Sequence, residues 1–360
     1  MGKGGYIQWA IVLIMKPLIF TQKVDKKDPV LGFFHNWISA LSEKFEKTSV
    51  ICLEKGEHQL SPDIKIFSLG KEEGESRLKY IINFYKYIWQ ERKNYDAVFV
   101  HMNQEYILLG GFIWKILGKK IYFWRNHGSG NFMTRVAIAL STKVFCTSKQ
   151  SFTAKFKKTI IMPVGVDTEI FRPVAGVIRK KYSICMVGRI APLKHIDRAL
   201  MAVNHLVVSG AQISLSIIGP IADKDLEYYK KLKNYITENN LSGYIFLENA
   251  VTQEKLPEIY SSYEICINLS EYGMFDKTIL EAAACGTVPL VSNPSLANMP
   301  KEMCIQDNSI EGIASSIQRV FKITEQIDIQ QKLKHLTEQH NLSTLINKLL
   351  IEEDPAFSVR

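Results

Sequence analysis

Two cations, Arg189 and Lys194, stand five residues apart in VGRIAPLK, where an apolar strand-like run gives way to a helical one. Gly188 supplies the turn between them. Cations beside a strand end and a helix N-terminus suit a diphosphate: the free amides and the helix dipole attract anions. Arg forks onto phosphate oxygens, and Lys acts as a point charge. Alone, the pair fits two solvated loop cations equally well. A second stretch, EYGMFDKTILEAAACGTVPLVSN (271–293), follows the apolar run EICINLS. Asp276 is expected to cap a helix starting near Lys277 and Thr278, with Glu281 one turn in. Glu281 is either a favourable charge near a helix N-terminus or an acceptor for two neighbouring hydroxyls, such as those of a ribose. Ala282, Ala283 and Ala284 would let that helix pack closely on a sheet, and Gly286 would end it.

These residues need strand ends to hold them. Short β-rich runs recur at KPLIFTQ, TSVICLE, IKIFSL, DAVFVHM, KKIYFW, KVFCTS and TIIMPVG. Helical periodicity lies between most of them, over 31–47, 77–93, 105–117 and 131–140. The segment VGVDTEIFRPVAGVIRKK is irregular and reads as a link. The alternation then restarts with YSICMVGR, ISLSIIGP, YIFLE, EICINLS and VPLVS. Helices are expected at 196–209, 226–239, 254–260 and 277–285. This predicts an α/β protein of two doubly wound parallel-sheet domains, with ligands at the strands' carboxyl ends in the cleft between facing sheets. The expected divisions are an extension at 1–14, a first domain at 15–172, a second at 173–345 and a tail at 346–360. A hydride-transfer enzyme is disfavoured, because the first strand–helix turn offers only Gly32 where a Gly-x-Gly-x-x-Gly turn is needed.

Length and composition agree with two cores: 360 residues, 46% hydrophobic and 22% charged. The six cysteines have no metal-ligand or redox spacing. They read as buried free thiols in a reducing compartment. The charge is lopsided. Residues 1–173 carry 26 Lys/Arg against 15 Asp/Glu, and the remainder 19 against 21. The basic excess is therefore confined to the first half, either as a solvated face or as a surface for an anionic partner. The run YIQWAIVLIM is too short to span a bilayer. Residues 1–14 read as an upstream extension before Met15, or else as a short membrane-seeking tail.

Taken together, VGRIAPLK, LEAAACGTVPLVSN and PVGVDTEIFRP resemble glycosyltransferase family 4 over about residues 15–350. The resemblance implies the GT-B architecture, a nucleotide-sugar donor held mainly by the second domain, no metal or other cofactor, and transfer with retention of anomeric configuration. Arg189 and Lys194 match the pair that stabilises the leaving diphosphate. Glu281 matches the glutamate that holds the ribose. Gly188, Phe275, Asp276, Lys277 and Thr278 complete the donor side. The first motif glutamate should stand eight residues before Glu281, where this chain has Gly273. Phe-Gly has become Phe275-Asp276, a Phe-Asp-Lys variant that resembles bacterial members. Glu271, Asp276 or Lys277 would take over part of the missing role. His127, in YFWRNHGSG, matches a histidine near donor sugar and acceptor. No protein nucleophile is implied, since the leaving phosphate itself takes the acceptor's proton.

On the acceptor side stand Arg125, Asn126, His101, Asn103 and Gln104, all at strand ends, with the loop 21–28. In 77–93, Leu78, Ile81, Tyr85, Ile88 and Trp89 share one helical face, with Lys79, Lys86, Arg92 and Lys93 beside it. That is either a core helix with a basic rim or a helix touching an anionic membrane. The expected acceptor is a glycan or lipid-linked glycan of bacterial surface-polysaccharide assembly. The expected location is the cytoplasm, peripheral at the inner face of its membrane. Nucleic acid is not expected, for want of a recognition motif. The alternatives are a nucleotide-sugar-binding homologue without transfer, suggested by Gly273, and another GT-B enzyme such as a nucleotide-sugar epimerase.

Overall fold

A computed structural model describes residues 15–270, 276–293, 299–324 and 326–353. The expected extension at 1–14, Glu271, Gly273 and Phe275 lie outside them. The chain forms two compact units. The first comprises the residues up to Arg125, Gly130–Phe145 and Lys158–Ile160, and the second Asn126–Ser129, Cys146–Lys157 and the chain from Ile161 onward.

The first sheet uses β1 (Pro17–Val24), β2 (Ser49–Lys55), β3 (Lys65–Ser68), β4 (Ala97–His101), β5 (Lys120–Trp124), β6 (Lys143–Cys146) and β7 (Thr159–Ile161). Their order is β3-β2-β1-β4-β5-β6-β7. Between them run α1 (Phe33–Ser42), α2 (Arg77–Gln90), α3 (Glu105–Ile116) and α4 (Phe132–Leu140). β1 pairs in parallel with both β2 and β4, so the winding reverses there. Apolar runs of four or five residues form the buried strands, as parallel sheets covered on both faces require. The Phe20 ring meets Phe84, Tyr106 and Trp114 at 5.1–5.5 Å between centroids.

The second sheet uses β8 (Ser183–Val187), β9 (Ser214–Ile218), β10 (Ile245–Glu248), β11 (Ile265–Asn268) and β12 (Val288–Val291), in the order β10-β9-β8-β11-β12. Its helices are α5 (Ile196–Val208), α6 (Leu226–Glu238), α7 (Leu256–Ser261), α8 (Thr278–Ala284), α9 (Ile310–Phe321), α10 (Ile327–His340) and α11 (Leu342–Glu353). The reversal falls between β8 and β11, where a crevice opens at the carboxyl ends.

Two expected boundaries move. The segment before residue 173 is irregular in backbone but not a free link. Val164, Val166 and Phe171 are buried in a cluster with Ile279, Leu280 and Leu336. The amides of Gly165 and Val166 both donate to the His340 carbonyl. The chain thus joins the second core a dozen residues early. At the other end, the tail expected from 346 is part of α11, which buries Leu345, Ile346 and Leu349. All six cysteines are buried and free. Among the described residues, no helix is long and apolar enough to cross a membrane.

Candidate active site

The site is built on the two strands that flank the reversal. β8 ends at Val187, and Gly188 follows with φ 137°, a backbone region that glycine enters without strain. Its amide donates to the Ile218 carbonyl at 3.0 Å, and the Ile190 amide donates to Pro220 at 2.9 Å. The loop after β8 therefore lies against the loop after β9. A Cβ on Gly219 would stand 1.9 Å from the Gly188 carbonyl oxygen, so this crossing admits only glycine. The chain then makes a short 3-10 turn over Pro192–Lys194, and His195 takes a left-handed conformation before α5. The turn leaves Arg189 exposed and sends Lys194 back toward the end of β11.

There the Lys194 ammonium donates to Ser270 Oγ at 3.1 Å and forms an ion pair with Asp276. Asn268, the last residue of β11, donates Nδ2 to Asp276 Oδ2 at 2.9 Å. Its Oδ1 accepts from the Ser270 amide at 3.1 Å. Thr278 Oγ1 donates to the other Asp276 oxygen at 3.0 Å. Burial alone would push the Asp276 carboxyl up. The Lys194 charge and the hydrogen bonds from Lys194, Asn268 and Thr278 outweigh it and hold the group below its ordinary value. A small pocket bordered by Gly188, Arg189, Lys194 and Asn268 opens beside this cluster.

The second cluster lies on α8. Lys277 holds its N-cap position, while Asp276, one residue earlier, accepts from the Thr278 amide at 3.4 Å through Oδ1 and meets Lys194 through Oδ2. Lys277 Nζ donates to the Gly165 carbonyl at 3.4 Å. Glu281 is buried and accepts from the Tyr260 hydroxyl at 3.3 Å. Burial drives both Lys277 and Glu281 toward their neutral forms. Their mutual attraction opposes this in each. Ala282 and Ala283 are buried, and Gly286 closes the helix at φ 79°.

Gly188, Lys194, Asp276 and Thr278 thus come together, with Arg189 at the pocket's border and Lys277 and Glu281 on the same helix start and its first turn. Asn268, Ser270, Tyr260 and Gly219 belong to the same construction and were not singled out in the sequence. The signal for Asn268 was there, a lone amide ending the apolar run ICIN.

The other expected residues are more scattered. His127 is exposed, and its Nδ1 accepts from the Ser129 amide at 3.0 Å. Asn126 Oδ1 accepts from the Thr147 amide at 2.7 Å. Arg125 is half-buried, and burial lowers its pKa against the opposing charge of Glu105. Gln104 accepts from Thr134 Oγ1 at 2.7 Å, and Asn103 is half-buried. His101 corrects an expectation. It is 3% exposed and stacks on Phe34 with centroids 3.9 Å apart. Its ring packs among Phe33, Phe34 and Trp37 in the first core.

Residues 167–333, which contain both clusters, match the family model described as glycosyl transferases group 1. Solved structures align over nearly the whole chain. The Anabaena protein HepE in complex with UDP aligns with a TM-score of 0.76 at 15% identity, over 95% of this chain and 100% of that one. Sucrose-phosphate synthase from Thermosynechococcus elongatus aligns at 0.74 and 15%, over 95% and 99%. The fold is that of the GT-B glycosyltransferases. Among curated relatives, the MMP alpha-(1->4)-mannosyltransferase of Mycolicibacterium hassiacum is 29% identical over 133 residues, 37% of this chain and 30% of that protein. The GtfA subunit of a Streptococcus gordonii UDP-N-acetylglucosamine–peptide N-acetylglucosaminyltransferase is 28% identical over 156 residues, 43% and 29%. The matched stretch spans about three tenths of the length of these two relatives.

Proposed function

We propose that this chain is a retaining, metal-independent glycosyltransferase of family 4, in a subfamily with the Phe-Asp-Lys form of the donor motif. It moves a sugar from a nucleotide-sugar to a glycan or lipid-linked acceptor in the assembly of a bacterial surface glycan. The observation that carries the reading is the Lys194 cluster. A half-buried ammonium that borders the same pocket as Arg189 sits at the reversal point of the second sheet, inside the stretch that matches the family model. Two cations there can neutralise a diphosphate as it leaves, which is stabilisation of charge formed in the transition state. Glu281 would accept the ribose hydroxyls, with Tyr260 fixing its carboxylate. The acceptor hydroxyl attacks on the face the diphosphate leaves, and its proton passes to a leaving phosphate oxygen. The protein's part is then position and charge.

Asp276 stands close to the position of the missing first glutamate, Gly273. It would accept from donor-sugar hydroxyls once a diphosphate draws Lys194 away. The same Gly273 favours the second reading, a homologue that binds nucleotide-sugars without transfer. The basic first half favours an acceptor met at the inner face of the cytoplasmic membrane.

The test is a nucleotide-sugar panel read by mass spectrometry for binding and slow hydrolysis, with Glu281→Ala as the control. Hydrolysis of one donor, lost in the variant, is expected. Binding with no turnover on any acceptor would leave the second reading standing, and no binding at all would refute both.

A further inference from the structure

Helix α2 is amphipathic in an unusual sense. Of its apolar residues only Phe84 and Ile88 are buried. Ile88, expected to share a face with Leu78 and Trp89, points into the core instead. Leu78 is 67% exposed, Ile82 53% and Trp89 57%, and Ile81 and Tyr85 are also exposed. At 100° per residue these five fall within about a 100° arc, a continuous apolar stripe facing out of the first unit. A core helix with a basic rim would bury that stripe, and this one does not.

The stripe continues onto the neighbouring helix. The Tyr85 hydroxyl donates to the Leu109 carbonyl of α3 at 3.1 Å. Phe112 and Ile116, three and seven residues further along α3, are 68% and 85% exposed. The charges of α2 itself are of one sign. α2 contains Arg77, Lys79 and Lys86 and no acidic residue. Arg92 lies with its guanidinium 4.4 Å from the Trp89 ring, and Lys93 and Lys115 are exposed nearby in sequence. The acidic loop containing Glu72, Glu73 and Glu75 comes before the helix begins.

We propose that the outer face of α2, extended by Phe112 and Ile116, is a docking surface for a bilayer rich in anionic lipid. The apolar stripe enters the interface, and Lys79, Lys86, Arg92 and Lys93 meet the headgroups. An apolar stripe with flanking cations and interfacial Tyr and Trp suits that boundary, where one side of the helix is oily and its rim is wet and negative. A second copy of the same face fits less well, because every charged residue of α2 is a cation and would meet its like. The proposal rests on the reading of an acceptor at a membrane surface, but vesicle binding requires no transfer.

The experiment is co-sedimentation of the full chain with phosphatidylcholine vesicles and with vesicles of phosphatidylcholine and phosphatidylglycerol. Binding only to the anionic vesicles is expected. It should fall by roughly tenfold or more in Lys79→Glu/Lys86→Glu, from about 1 kcal/mol per cation at the surface. It should fall similarly in Ile82→Ser/Trp89→Ser, with the melting temperature of both variants unchanged. Equal pelleting with both lipids, no pelleting with either, or pelleting untouched by both variants would overturn the proposal. So would self-association that both variants abolish in the absence of vesicle binding. Such failures leave the transfer reading intact, since the donor panel tests it separately.

Discussion

β1 and β8 hold equivalent places, each the strand at which its sheet reverses, and each has a lysine near its carboxyl end: Lys23 is the penultimate residue of β1, and Lys194 follows the last residue of β8 by seven. The two lysines are treated oppositely. Lys23 lies 2.9 Å from Glu54, 3.1 Å from Asp28 and 3.3 Å from Asp25, and Glu54 is further bound by Lys71 at 2.7 Å. Burial works against the Lys23 ammonium, but the carboxylates outweigh it and raise its pKa well above the ordinary value. Asp28 has a second duty, accepting from the amides of Val30 and Leu31 where the chain turns toward α1. Lys194 faces one carboxylate, a hydroxyl and an exposed arginine. The first surrounding is already negative and would repel a phosphate. The second keeps a net positive charge and can receive one. A cation at a strand end is therefore not evidence of an anion site until the carboxylates around it are counted. The loop 21–28, expected to help line a binding surface, is on this count a structural knot.

The sharpest way to break the contrast is Lys194→Met. Turnover should fall by about 10²–10³, the loss typical of removing one group that stabilises transition-state charge. The fold should survive, since Asn268 and Thr278 still satisfy Asp276. Steady-state kinetics beside a melting curve decide it, and full activity in a folded variant would end the assignment. Glu281→Ala comes next, weakening nucleotide binding by roughly 1–3 kcal/mol because hydroxyls lose their acceptor. Calorimetry that finds unchanged affinity would remove Glu281 from the site. Lys23→Met should do the reverse, costing about 1–2 kcal/mol of stability by leaving three carboxylates together, with nucleotide affinity unaltered. A loss of binding there, without destabilisation, would erase the distinction between the two lysines.

The smallest effect concerns acid. The Asp276 carboxyl is held below its ordinary 3.8 in the folded chain. Its contribution to stability is complete above that value and disappears as the pH falls below it toward the folded-state pKa. Asp276→Asn should flatten the dependence of unfolding free energy on pH below about pH 4 and leave it unchanged near neutrality. An identical acid limb in the variant would show that the Lys194 pair carries no net stabilisation.

The broad outline was legible because it is local. Apolar runs of four or five residues separated by helical periodicity announce a wound parallel sheet, and their restart after residue 180 announces a second. Lys194 and Glu281 were legible for the same reason, each beside an obvious strand or helix end. What escaped is long-range. Asn268 and Lys194 are 74 residues apart in the chain and meet through Asp276 and Ser270, a consequence of β8 and β11 pairing. The residue type of His101 suggests a group lining the acceptor side, while its ring is buried and stacked on Phe34. PVGVDTEIFRP reads as a link because it lacks periodicity, yet irregular backbone can still bury side chains, as it does Val164, Val166 and Phe171.

The crossing of Gly219 over Gly188 carries its own consequence. Position 219 needs no contact with any ligand, and even alanine there would push the Gly188 peptide aside and move Arg189 with it. Mutational tolerance at 219 should therefore be as narrow as at a ligand-touching residue, for a reason that is wholly main-chain. A scan of this protein would find an intolerant position that no map of ligand contacts would explain, and the alignment of two bare backbones would be the explanation.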